Sequence, residues 1–153
     1  MSHPPPRIDP LQPKDARYAD LLQALDGMLC GCLLYTSDAA DLNWAGFYRF
    51  VEGELIVGPF QGLPACVRIA LGKGVCGTAA LRRQTVVVED VHTFDGHIAC
   101  DAASRSEIVV PLIKDGRLLG VMDLDSPRVG RFDATDAAGL EAFAARLLVG
   151  CDL

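Results

Sequence analysis

The dipeptide Asp115-Gly116 lies between two apolar runs, SEIVVPLI before it and RLLGVMDL after it. Asp-Gly flanked by strand-forming residues is a strong β-hairpin signal, because both residues tolerate the positive φ that a tight two-residue turn demands. It fixes Ser106–Ile113 and Arg117–Leu124 as antiparallel neighbours. Glu52-Gly53 predicts a second hairpin, joining Asn43–Val51 to Glu54–Phe60. Shorter strands are predicted at Cys66–Leu71 and Thr85–Glu89. Between them, Gly72–Gly77 reads as a glycine-punctuated turn, and a short helix is predicted from Thr78 to Arg83. Helical spacing of Tyr18, Leu21, Leu22, Leu25, Met28, Leu29 and Cys32 predicts an amphipathic helix over Asp15–Leu34. A second is predicted over Asp133–Val149, with Thr135 as its cap and Leu140, Phe143, Ala144, Leu147 and Leu148 as its apolar face. Two helices around paired hairpins imply an α+β fold with a central, mainly antiparallel sheet flanked by N- and C-terminal helices.

The 153 residues suffice for one packed domain, expected over 14–153, behind a flexible Pro-rich lead-in at 1–13. A net charge of −6 and the lack of any Lys/Arg run argue against a nucleic-acid backbone or an anionic membrane surface as partner. The lead-in has no apolar core of the kind a secretory signal needs, and no apolar stretch approaches the roughly 20 residues of a membrane span. A cytoplasmic protein is expected. The segment Cys32–Asp41, CLLYTSDAAD, reads as the in-frame translation of a transposase adaptor used in DNA sequencing, so Cys32 and Tyr35 carry no weight below.

Six cysteines in a reducing compartment are expected to be buried, metal-binding or catalytic rather than structural disulfides. Their positions, 30, 32, 66, 76, 100 and 151, contain no Cys-x-x-Cys and no Cys/His knuckle, so no zinc site is expected. His92 and His97 in the central loop are a weak metal signal. Cys66, Cys76 and Cys100 can each be read as small buried hydrophobes. That reading fits Cys76 best, with Val75 before it and a helix after it. It fits Cys100 worst, since that residue sits in a polar loop with Asp95, His97, Asp101 and Ser104, where a thiolate can be reached. One thiol that attacks and one that resolves are the minimum for a redox cycle.

Asp123 and Asp125 lie two apart on a predicted strand and therefore project from one face, while Glu107 opens the neighbouring strand. Either the strand ends face solvent, or the carboxyls form a site for a cationic or hydrogen-bond-donating ligand, with a carboxyl that keeps its proton near neutral pH. Trp44 and Tyr48, four apart, share a strand face as core or as pocket wall.

Together NWAGFY, GPFQG, ACVRI, GKGVCGTA, EDVHTFDGHIACDAAS, SEIVVPL, GVMDLDS and GRFDATD resemble the free methionine-(R)-sulfoxide reductases, stand-alone enzymes of the GAF fold. The resemblance runs from about Asn43 to the end, and the segment around Cys100 is particular to that family. It implies Cys100 as the attacking cysteine, Cys66 as its disulfide partner and Cys76 as a third pocket cysteine that assists resolution. It further implies Glu107, Asp123 and Asp125 as the acids that bind substrate and polarise its sulfoxide, with Trp44 and Tyr48 beside them. A homodimer reduced by thioredoxin, with no resident cofactor or metal, is what the resemblance implies for partners. The alternative is a GAF sensor module that binds a small ligand or senses redox state without turnover, which fold analogy alone favours.

Overall fold

The structure, a computed structural model, describes Pro13, residues 41–96, Ile98 and residues 101–149. The lead-in other than Pro13, the expected helix over Asp15–Leu34, the adaptor-like segment other than Asp41, and both His97 and Cys100 lie outside the described residues. Among the described residues the elements run β1 (Trp44–Val51), β2 (Glu54–Gly62), β3 (Arg68–Ala70), α1 (Gly74–Arg82), β4 (Val86–Val88), β5 (Ser106–Lys114), β6 (Arg117–Ser126) and α2 (Ala134–Val149), with a 3₁₀ turn at Val91–Thr93. The six strands form one sheet in the order β3-β2-β1-β6-β5-β4, with every neighbouring pair antiparallel.

Both predicted hairpins form. Glu52 and Gly53 have φ of 49° and 89°, and Asp115 and Gly116 have 51° and 74°. Two successive positive values are the signature of a type I′ turn, whose twist matches that of the strands it joins.

The helices depart from expectation at their starts. Helix α1 begins at Gly74, not Thr78, so the expected turn at 72–77 is half helix. Lys73 at its N-cap makes no side-chain cap, which leaves no start signal in the sequence. Gly77 lies inside this helix for a packing reason: a Cβ there would come within 2.4 Å of the Ala70 carbonyl oxygen. Only glycine lets α1 approach β3 this closely. In α2 the cap is Asp133 and not Thr135. Asp133 Oδ1 accepts hydrogen bonds from the backbone N–H of Thr135 at 2.8 Å and of Asp136 at 3.2 Å.

Strand alternation gives the sheet two faces. On one, Ala45, Ile108, Val110, Leu112, Met122 and Leu124 pack against Leu140, Phe143, Ala144 and Leu148 of α2. On the other, Trp44, Tyr48, Val109 and Val121 pack with Val75, Cys76, Ala79 and Ala80 of α1. Burying a Leu- or Phe-sized side chain contributes about 1.5–3 kcal/mol, so the α2 seam is a major stabilising contact. Among the described residues, no helix is long and apolar enough to cross a membrane.

Candidate active site

The α1 face is not apolar throughout. Register sets Glu107 of β5 opposite Asp125 of β6, and Asp123 opposite Gly46 of β1 and Val109 of β5. All three carboxyls therefore project from the α1 side, at the end of the sheet where α1 begins. They line one cavity with Trp44, Tyr48, Cys76, Asp101 and Ser104. The solvent-facing alternative fails for Asp123, 5% exposed, and for Glu107, 7% exposed, while Asp125 is half-buried.

Burial sets the electrostatics. Asp123 is pushed up to about 7 by loss of solvent, a rise that hydrogen bonds from Cys76 and Glu107 only partly offset. Glu107 is raised well above the ordinary carboxyl range by burial, then by the charges of Asp123 and Asp125. Asp125 is raised by burial, then by Asp123, while a hydrogen bond to Ser104 works the other way. The cluster therefore retains protons at neutral pH, since like charges in a dry pocket cannot all be ionised. Cys76 is the one buried free cysteine among the described residues. Its thiol, 3.9 Å from Glu107 Oε1, is pushed up by burial and by the neighbouring acids, which holds it as S–H. The sequence reading of Cys76 as a buried small residue is correct: it packs within the apolar α1 face, and its thiol also meets the acids.

The aromatic wall follows from the same register. Trp44 stacks between Tyr48, at 5.8 Å between ring centroids, and Phe60, at 5.6 Å. Gly46 makes the room, because a Cβ there would lie 2.6 Å from the Trp44 ring. Burial raises the Tyr48 hydroxyl well above its ordinary value, so it stays protonated.

Cys66 is disulfide-bonded. Its neighbour Ala65 lines the cavity, and so do Ile98 and Asp101, which stand on either side of the Cys100 segment in the chain. The expectation for Cys100 itself falls outside the described residues. His92 is bonded to Asp90, with Nδ1 3.0 Å from Oδ1, and does not line the cavity.

One contributor had no separate signal in the sequence. Asn43, just before β1, donates through Nδ2 to Asp101 Oδ2 at 2.8 Å and to Ser104 Oγ at 3.0 Å. It pins the segment after Cys100 to the start of β1, an interior strand of the sheet. Asp101 steadies that segment further by accepting from the Ala103 N–H at 2.8 Å. Cys76, Glu107 and Asp123 also each present a possible metal-ligand atom, mutually within 4.8 Å.

Residues 19–148 match the family model of the GAF domain. The chain is 49% identical over 142 residues to the free methionine-R-sulfoxide reductase of Escherichia coli, covering 85% of this chain and 86% of that protein. It is 50% identical over 121 residues to the enzyme of the same name from Saccharomyces cerevisiae, covering 76% and 67%. The crystal structure of free methionine-R-sulfoxide reductase from Neisseria meningitidis in complex with its substrate superposes with a TM-score of 0.85 at 41% identity, covering 91% of this chain and 90% of that one. At such identity over nearly the whole fold, the chain belongs to the free methionine-R-sulfoxide reductase family of GAF-domain proteins.

Proposed function

We propose that this protein reduces free methionine-(R)-sulfoxide to methionine, with Cys100 attacking, Cys66 resolving, and the buried carboxyls of Glu107, Asp123 and Asp125 binding and polarising the substrate. The observation that carries the reading is one cavity lined by three acids, by Trp44 and Tyr48, and by the chain neighbours of both Cys66 and Cys100. That Cys66 is disulfide-bonded supports its role as the resolving partner.

The chemistry suits these residues. A sulfoxide oxygen leaves sulfur only when it accepts a proton or a strong hydrogen bond. Glu107 and Asp125, raised by burial, supply a protonated carboxyl for it. The Cys100 sulfur attacks the sulfoxide sulfur, and the oxygen passes to the cysteine; methionine leaves and a sulfenic acid remains. Cys66 condenses with the sulfenic acid, releasing water and forming the disulfide. An external dithiol of the thioredoxin kind then reduces that bond by exchange, so no resident cofactor is needed. Asp123, titrating near 7, supplies negative charge for the substrate ammonium. Cys76, held as a thiol, serves the resolving stage rather than the attack. A methionine sulfoxide within a polypeptide offers no ammonium for these carboxyls to hold. The stacked Trp44 and Tyr48 form the apolar wall for the thioether end. A cytoplasmic homodimer that repairs oxidised free methionine belongs to the same proposal and is carried by the family resemblance.

The test is turnover of free methionine-(R)-sulfoxide with thioredoxin, its reductase and NADPH. Cys100→Ser is expected to abolish turnover with any reductant. Cys66→Ser is expected to retain a single turnover while losing recycling by thioredoxin. Binding of the sulfoxide without release of methionine by the parent chain would leave the GAF sensor as the correct reading.

A further inference from the structure

Three side chains given roles in the reduction cycle also stand close enough together to share a single ligand. Cys76 Sγ, a Glu107 carboxylate oxygen and an Asp123 carboxylate oxygen lie within 4.8 Å of one another, and all three residues are buried. They arrive from α1, β5 and β6, so no spacing rule in the sequence announces them. A second observation points to an absent ligand: Asp123 Oδ1, on a side chain that is 5% exposed, has no hydrogen-bond partner. A buried acceptor without a partner is unfavourable and is relieved by anything that supplies positive charge.

We propose that Cys76, Glu107 and Asp123 form a divalent-cation site, best matched to Zn²⁺, whose occupation excludes the substrate and reversibly inhibits the enzyme. Metal binding follows from the geometry alone; its competition with substrate rests on the reading of this cavity given above. Zinc takes sulfur at about 2.3 Å and carboxylate oxygen at about 2.0–2.2 Å, so tetrahedral ligands stand about 3.4–3.6 Å apart. The Cys76–Glu107 separation is already 3.9 Å, so small side-chain rotations close the set. One thiolate with two carboxylates suits zinc better than Mg²⁺ or Ca²⁺, which take six or more oxygens or keep several waters. The fourth position faces the cavity, as in zinc sites that keep an exchangeable ligand. Trp44 Nε1, also buried without a partner on that wall, offers a donor to a water bound there. Binding is not a redox step: the thiol proton and any carboxyl protons pass to solvent, and the metal keeps its charge.

The test uses the reduced full chain and Co²⁺ as a spectroscopic stand-in for Zn²⁺. One equivalent of Co²⁺ is expected to give a thiolate-to-metal charge-transfer band that Zn²⁺ bleaches. Cys76→Ser should remove the band, whereas Cys66→Ser and Cys100→Ser should keep it. Glu107→Gln and Asp123→Asn should each weaken Zn²⁺ binding by at least the about 10–100-fold that follows loss of an outer hydrogen-bond partner at a metal site. Near-UV circular dichroism checks that each variant is folded, and with two carboxyl variants one misfolded protein does not decide the matter. In the Cys100→Ser chain, which does not turn the sulfoxide over, free methionine-(R)-sulfoxide should raise the apparent Zn²⁺ dissociation constant linearly with its concentration. No stoichiometric binding, or a band that survives Cys76→Ser, overturns the site. A Cys76-dependent band untouched by the sulfoxide upholds the metal site and overturns instead the assignment of the cavity to substrate.

Discussion

On the β5–β6 hairpin, two cross-strand pairs one register step apart have opposite fates. Ile108 and Leu124 pair and turn to α2, where they are 0% and 5% exposed among apolar neighbours. Glu107 and Asp125 pair beside them and turn to the cavity under α1. The α2 face obeys every rule of a stable core. The α1 face breaks the rule against burying carboxyls, with Glu107 and Asp123 buried and Asp125 half-buried. One side of the sheet therefore carries the stability that the other side spends. A one-residue register slip would exchange the two faces, so the tight turn at Asp115-Gly116 fixes the site as firmly as it fixes the core.

The strongest way to break this contrast is to change a cavity residue and find that stability, not rate, suffers. Asp125→Asn keeps size and hydrogen bonding but removes the acid. The expected result is a 10²–10⁴-fold loss in kcat/KM, the range for losing a general acid, with stability unchanged or raised. Steady-state kinetics beside a urea melt measure both. An unaltered rate would remove Asp125 from the chemistry.

The mirror experiment lies on the other face. Phe143, 3% exposed in the α2 seam, is expected to cost about 3–5 kcal/mol when cut to alanine. The folded fraction should keep the parental kcat. If kcat falls with stability intact, the two faces are not separable.

Much of this division was legible in the sequence, and the reasons are local. The positive-φ dipeptides at 52–53 and 115–116 set both hairpins, and the alternation in VMDLDS set Asp123 and Asp125 on one face. Trp44 and Tyr48 followed from the same rule. What could not be read is what arrives from elsewhere in the chain. Helix α1 starts without a capping side chain and contains Gly77 to fit against β3, so its glycines read as a turn. That start is what delivers Cys76 to the acids. Asn43 holds Asp101 and Ser104 across about sixty residues of chain, a contact that no spacing predicts.

A finer test asks what the acidic face costs. Asp123 ordinarily ionises at 3.8 and does so here at about 7. Its folded form therefore binds a proton that the unfolded chain has already lost between those values. Its stabilising contribution is complete below about pH 4 and is lost as pH rises through about 7. At about 1.4 kcal/mol per unit, the loss is at most about 4 kcal/mol, shared within the acid cluster. Asp123→Asn should flatten the fall in stability between pH 4 and 7, as followed by chemical denaturation at several pH values. An unchanged slope would mean that Asp123 is not the group that titrates.

The smallest effect separates two neighbouring residues at the head of α2. Asp133 Oδ1 accepts from two N–H groups of the first turn, and its negative charge also opposes the positive end of the helix dipole. Asp133→Ala should cost about 0.5–2 kcal/mol. Thr135→Ala, at the position the sequence pattern favoured, should change stability by less than about 0.5 kcal/mol, since Thr135 gives α2 only its backbone N–H as a capping donor. Neither variant should alter kcat, because α2 serves the face that carries no chemistry. If Thr135→Ala proved the more costly, the hydroxyl rather than the carboxylate would be closing this helix, and the link between the α2 seam and its start would need to be redrawn.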